Sequence, residues 1–320
     1  MRIKWCKFEA ETFLPLLLFL AMSAMPVFAR LPAVPWSATD GLGRELPDAE
    51  QCGPRRNDRF VGLFYFLWLG GHEQGGPFNI TEIMKQPEGQ RSWGKKNLFH
   101  FWEQPRFGYY LNDDEWVIAK HAQMLADAGV DVVIFDVTNG FTYKDHYLLL
   151  CRVFEDIRAS GGHTPQVSFL FNSNHVKTTQ KVYDEFYKPG LHRDLWFQWK
   201  GKPLLMTNPE GQSQEVLEFF SIRRSWAWPN SKNWFGDGKD KWPWIANTPQ
   251  EYGWHASPEK PEQVAVAAAS HPVNSIGRSH KAGKQPKPED QDPMVGTYFQ
   301  EQWDHALKVD PEFIFITGWN

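Results

Sequence analysis

Apolar residues fall along this chain in short continuous runs, separated by stretches in which they recur every three or four positions. Seven runs read as strands: "FVGLFYFLWLG" (60–70), "VDVVIFDV" (130–137), "QVSFLFNSN" (166–174), "KPLLMTN" (202–208), "FSIRRSWAW" (220–228), "VAVAAASH" (264–271) and "FIFITGW" (313–319). Most are apolar without alternation, as parallel strands buried on both faces are. Between them, "DDEWVIAKHAQMLADAG" (113–129) and "KDHYLLLCRVFEDIRASGG" (144–162) each carry acidic residues near the start and close on glycine, the polarity of a helix. Strands two to four begin at 130, 166 and 202, a spacing of 36 residues that is close to the unit length of a (β/α)8 barrel. A doubly wound open sheet is the competing fold, but no G-x-G-x-x-G follows an early strand. The pattern predicts an α/β chain of the TIM-type (β/α)8 class, with seven strands present and an eighth expected beyond the seventh. Seven strands alone would leave unpaired edges at strands one and seven.

The N-terminal residues 1–29 read as an export signal. Arg2, Lys4 and Lys7 give a basic start, "FLPLLLFLAMSAM" (13–25) an apolar stretch, and "VFA" (27–29) a small-residue cleavage site. Pro26 breaks the apolar run too early for a membrane span, although an uncleaved anchor is the alternative. Residues 30–57 form a Pro-rich linker and 58–320 the barrel domain. A secreted or periplasmic monomer, free of the membrane after cleavage, is the expectation. Cys6 leaves with the signal. Cys52 and Cys151 could then form one disulfide, but Cys151 sits in the helical run "YLLLCRVF" and equally reads as a buried free thiol.

Two segments interrupt the alternation, 71–112 after strand one and 229–262 after strand five. Six Trp lie between Trp226 and Trp254, out of 16 in the chain, so the second segment is not a disordered linker. In a barrel, loops that follow strands lie on the catalytic face. At least one of Trp234, Trp242, Trp244 and Trp254 is therefore expected to stack on a ligand. With 34 basic against 38 acidic residues and a formal charge of −4, neither nucleic acid nor a charged membrane is an expected partner.

The residues at strand C-terminal ends share one pocket in a barrel. They are Tyr65, Trp68, His72 and Glu73 after strand one, Asp136 and Asn139 after strand two, and Asn172 and Asn174 after strand three. Asn208 and Glu210 follow strand four, Trp226 and Trp228 strand five, His271 strand six, and Trp319 and Asn320 strand seven. Carboxamides, carboxylates and indoles together suit a sugar, whose hydroxyls need planar hydrogen-bond partners and whose C–H faces stack on aromatic rings. Asp136 and Glu210 are the candidate catalytic carboxylates, and the others, apart from Glu73 and Asn208, are candidate substrate contacts. Each has a plainer reading: Asp136 as a turn cap, Glu210 as a first-turn helix residue, His271 as a structural histidine. Arg223 and Arg224 are adjacent, so in a strand only one of them reaches the interior. No H-E-x-x-H, paired C-x-x-C or P-loop occurs, so no metal or cofactor is expected, and "GQS" (211–213) is not a nucleophile elbow.

The stretch "GTYFQEQWDHALKVDPEFIFITGWN" (296–320) resembles the seventh-strand region of glycoside hydrolase families 71 and 99, which include α-glucanases, endo-α-mannanases and endo-α-mannosidases. Tyr298, Trp303, Ala306, Leu307, Pro311, Ile314, Ile316, Thr317 and Asn320 fill the pattern. The first strand, with Tyr65 and Trp68, and the unit "HAQMLADAGVDVVIFDVTNG" are similar as well, although Phe66 and Leu67 replace a Tyr-Pro and "FDVTNG" replaces a Trp pair. The resemblance implies a glycoside hydrolase that cleaves a polysaccharide or oligosaccharide with two carboxyl groups. It places the first of them just after Asn320. A non-catalytic carbohydrate-binding protein on the same scaffold is the alternative, and an exported barrel with another hydrolytic activity a third.

Overall fold

The apolar runs become strands close to where the pattern sets them. The computed structural model describes residues 38–69, 76, 78–95, 100–101, 104–230, 233–269, 279, 281–284, 286–292 and 294–319. The export signal, His72, Glu73, His271 and Asn320 lie outside the described residues. The strands are β1 (Phe60–Tyr65), β2 (Val132–Val137), β3 (Gln166–Phe171), β4 (Gln198–Trp199), β5 (Lys202–Met206), β6 (Ser221–Trp226), β7 (Lys241–Pro243), β8 (Tyr252–Trp254), β9 (Pro261–Ala267) and β10 (Phe313–Thr317). The main helices are α1 (Ile80–Lys85), α2 (Glu115–Asp127), α3 (Lys144–Ala159), α4 (His175–Val182), α5 (Gln214–Phe219) and α6 (Thr297–Val309). Their ends follow local chemistry. The Asp114 side chain accepts the Val117 N–H at the start of α2, and Gly129, at φ +76°, takes the left-handed turn that ends it.

In the sheet the strands run β7-β6-β5-β3-β2-β1-β10-β9-β8. The pairs from β7 round to β9 are all parallel, so eight parallel strands stand among the described residues. The fold is the expected α/β barrel. The strand count is not: β7 lies in the segment read as an insertion. Nor are strands one and seven open at their edges, because β1 pairs directly with β10, Phe60 beside Phe313 through Leu63 beside Ile316.

Between β7 and β9 the ring is nearly closed by other means. β8 pairs antiparallel to β9, and the backbone N–H of Asp240 donates to the Trp254 carbonyl at 2.7 Å. Gln263 Nε2 reaches the Pro243 carbonyl at 2.8 Å. The chains approach so closely that a Cβ on Gly253 would lie 1.8 Å from the Lys241 carbonyl oxygen. Gln302 of α6 braces the same region by donating to the Ala246 carbonyl and accepting the Ala267 N–H.

Alternate residues of each strand bury on opposite sides, which explains the continuous apolar runs. Phe64, Val132, Ile134, Leu170, Leu204, Met206, Phe313 and Phe315 pack together inside the barrel. Leu63, Tyr65, Val133, Phe135, Val167, Phe169 and Leu205 pack outward, against Ile118, Ala122 and Leu125 of α2 and Tyr147, Leu150 and Phe154 of α3. Cys151 of α3 is buried in that layer as a free thiol, and Cys52 is free and exposed.

At the N-terminal end of the barrel, Phe60, Phe197, Trp199 and Phe313 close the base with their rings. Glu262 is buried beside them. Its carboxylate accepts from Arg223 Nε and a terminal guanidinium nitrogen, both at 2.6 Å, from Trp242 Nε1 at 2.8 Å and from Trp199 Nε1 at 3.0 Å. Burial alone would raise the Glu262 pKa, but the arginine and the two indoles together hold it below the ordinary carboxyl value. Arg223 is thus the arginine that turns inward.

Candidate functional site

At the opposite end, where β3, β5 and β6 finish, the surface is hollowed into a cleft of about 200 Å³. Its lining is Phe171, Asn172, His175, Asn208, Arg224, Ser225, Trp226 and Trp234. Strand geometry brings these groups together. Asn172 and Asn208 each follow a parallel strand by one or two residues, while Arg224 and Trp226 share one face of β6. His175 opens α4, and its Nε2 lies 3.0 Å from the Glu210 carbonyl, tying the loop after β3 to the loop after β5. Asn208 Oδ1 accepts the Glu210 N–H at 3.3 Å, which turns that loop back toward the cleft. Trp234 donates to the Trp228 carbonyl at 2.8 Å, so its ring is held at the rim.

The lining joins two indoles, two carboxamides, a hydroxyl, an imidazole and a guanidinium, and no carboxylate stands in it among the described residues. It can therefore stack on an apolar face, donate to and accept from hydroxyls, and receive negative charge. Among the described residues, no three His, Cys, Asp or Glu side chains come together as a metal site.

The strand-end candidates divide. Asn172 and Trp226 line the cleft, and Asn174, whose backbone is left-handed at φ +51°, is exposed beside it. Asn139 is half-buried after β2, near the loop after β3: a Cβ on the adjacent Gly140 would lie 3.5 Å from Asn174 Nδ2. Glu210 is exposed, with Oε2 3.4 Å from Asn208 Nδ2. Trp228 is half-buried behind Trp234.

Asp136 is buried, and both its oxygens are engaged. Trp68 Nε1 donates to one at 2.7 Å; the Thr138 N–H and hydroxyl reach the other at 3.0 and 2.6 Å. Burial pushes its pKa up, against the pull of these donors. Asp136 and Trp68 therefore act on each other rather than on the cleft lining. Tyr65 turns to the helix side of the sheet, where its hydroxyl meets His121 Nδ1 at 2.9 Å. Burial lowers the His121 pKa to about 4, so the imidazole is neutral near pH 7. Trp319 packs on the His121 ring at 5.5 Å.

The Trp-rich segment is equally split. Trp242 is locked at the base and Trp254 donates to the Asp237 carbonyl, whereas Trp244 stacks on Phe64 inside the barrel at 5.2 Å. Trp234 alone of those four lines the cleft. Arg224 and His175 were missed as site residues by sequence. Arg224 could have been found from its parity with Trp226, once Arg223 was known to turn inward.

No family profile matches the chain, and no curated protein does. Among solved structures, it is similar to the GH99 endo-alpha-mannosidase of Bacteroides thetaiotaomicron. The complex of that protein with BIS-TRIS-propane aligns at 16% identity and a TM-score of 0.46, over 82% of this chain and 84% of the other. A second structure of it aligns at 16% identity and 0.43, over 82% and 85%.

Proposed function

We propose that this protein is an exported glycoside hydrolase that binds a polysaccharide or oligosaccharide at the C-terminal face of its barrel. The observation that carries the reading is the cleft, where Trp226 and Trp234 stand with the carboxamides of Asn172 and Asn208. Indole faces take the C–H side of a pyranose and carboxamides take its hydroxyls. The sequence resemblance to glycoside hydrolase families 71 and 99 supports the same class.

Glycosidic cleavage needs one carboxyl group that gives a proton to the leaving oxygen and a second that acts as base or nucleophile. By its raised pKa, though not by its place outside the cleft lining, Asp136 suits the first role, because burial keeps a carboxyl protonated to higher pH. Glu210 is exposed and suits the second. A specific observation favours the second reading, carbohydrate binding without cleavage: among the described residues the cleft lining has no carboxylate, and the oxygens of Asp136 are bonded within the protein.

A panel of plant, fungal and bacterial polysaccharides, assayed for new reducing ends and for binding, separates the readings. Hydrolysis that falls at least about tenfold in Asp136→Ala, as loss of a hydrogen bond to a charged group would give, supports the enzyme. Retention on a polysaccharide without new reducing ends supports the binding protein. Neither binding nor hydrolysis across the panel refutes both.

A further inference from the structure

Two adjacent arginines of β6 meet opposite fates. Arg223 is buried and clamped by Glu262, and Asp240 Oδ1 lies 3.9 Å from its Nε. Arg224 faces the cleft, half-buried, and among the described residues its guanidinium forms no ion pair. Around it lie Phe171, Trp226 and Trp234, the carboxamides of Asn172 and Asn208, and the hydroxyl of Ser225, which is spent on the Trp242 carbonyl at 2.6 Å. Among the described residues, an acidic group that approaches this lining is Glu210, whose Oε2 contacts the Asn208 amide and which is itself exposed.

A guanidinium beside aromatic rings has given up part of its hydration, and an anion that meets its planar fork restores the lost interactions with two parallel hydrogen bonds. A neutral sugar in the same cleft offers Arg224 only hydroxyl acceptors. Ligand charge is therefore the property this cleft is built to discriminate.

We infer that the cleft takes a sugar carrying an anionic group, a uronate carboxylate or a sulfate ester, received by Arg224 while Asn172 and Asn208 bind hydroxyls and Trp226 or Trp234 stacks on the ring. The inference rests on the carbohydrate reading above and narrows its substrate class.

Isothermal titration of the whole chain tests it. The ligands are galacturonate, glucuronate and mannuronate oligosaccharides, their neutral methyl esters, a sulfated galactan oligosaccharide and its desulfated form. The expected result is that at least one charged ligand binds about tenfold or more tighter than its neutral counterpart, the size of a charge-assisted hydrogen bond. That preference should weaken at high salt. Arg224→Gln should bring binding of the charged ligand down to that of its neutral counterpart while leaving thermal unfolding unchanged, and Arg224→Lys should keep part of the preference. The uronate and sulfate arms decide which anion is meant. Equal binding of every charged and neutral pair, or a preference that survives Arg224→Gln, overturns the inference alone. No binding of any of these sugars, together with a blank polysaccharide panel, overturns the carbohydrate reading as well.

Discussion

Asp136 and Glu262 are both buried carboxylates, yet their surroundings drive them in opposite directions. Asp136 has neutral donors only, so burial wins and its pKa rises. If it serves as the acid, activity should be full at low pH and fall as pH climbs through that raised pKa. A pH–rate profile whose alkaline limb is unmoved in Asp136→Asn would contradict the role. Glu262 has a cation and two indoles, and its pKa is lowered. Its contribution to stability is therefore present above the ordinary carboxyl value and is lost as pH falls below it through the depressed one. Glu262→Gln should cost about 3–5 kcal/mol, because it strands Arg223 as a buried charge. Chemical denaturation measures this, and a loss under about 1 kcal/mol would mean that Arg223 finds water or another partner.

The ring of strands depends on a backbone contact at its weakest joint. β7 and β9 share no ladder, and the stretch around β8 fills the gap through Asp240, Trp254 and the approach of Gly253 to the Lys241 carbonyl. Gly253→Ala should destabilise by about 2 kcal/mol or more, since the Cβ meets backbone that cannot rotate away. Gly89→Ala, with nothing within 4 Å of its Cβ, should stay within about 0.5 kcal/mol of wild type and serves as the control. Equal thermal shifts in the two variants would mean that the joint is soft. This region was also the least legible in the sequence. The long apolar strands were readable because both faces of each are buried. β7 is "KWP", three residues whose apolar content belongs to one Trp, and no period can be read from so short a segment. The same limit hid the roles of the indoles. Trp242 and Trp234 look alike in the sequence, but one ends in a buried network at the base and the other at the cleft. Asn172 and Trp226 could be picked because they sit at strand ends. Tyr65 misled for the opposite reason: a strand-end position does not say which side of the sheet the side chain takes.

Over the whole molecule the two ends of the barrel do different work. The base is packed with Phe and Trp around a fully bonded ion pair, which fixes the strand positions. The C-terminal face carries the cleft, with the half-buried Arg224 and Trp226 and the buried Trp234 in its lining. We propose that carbohydrate is handled at that face, in the cleft between the ends of β3, β5 and β6. The most direct measurement is a crystal structure of the protein with an oligosaccharide identified by the polysaccharide panel. The expected result is a sugar ring against Trp226 or Trp234, with hydroxyls on Asn172 and Asn208. A sugar bound elsewhere, with that cleft holding only solvent, would contradict it.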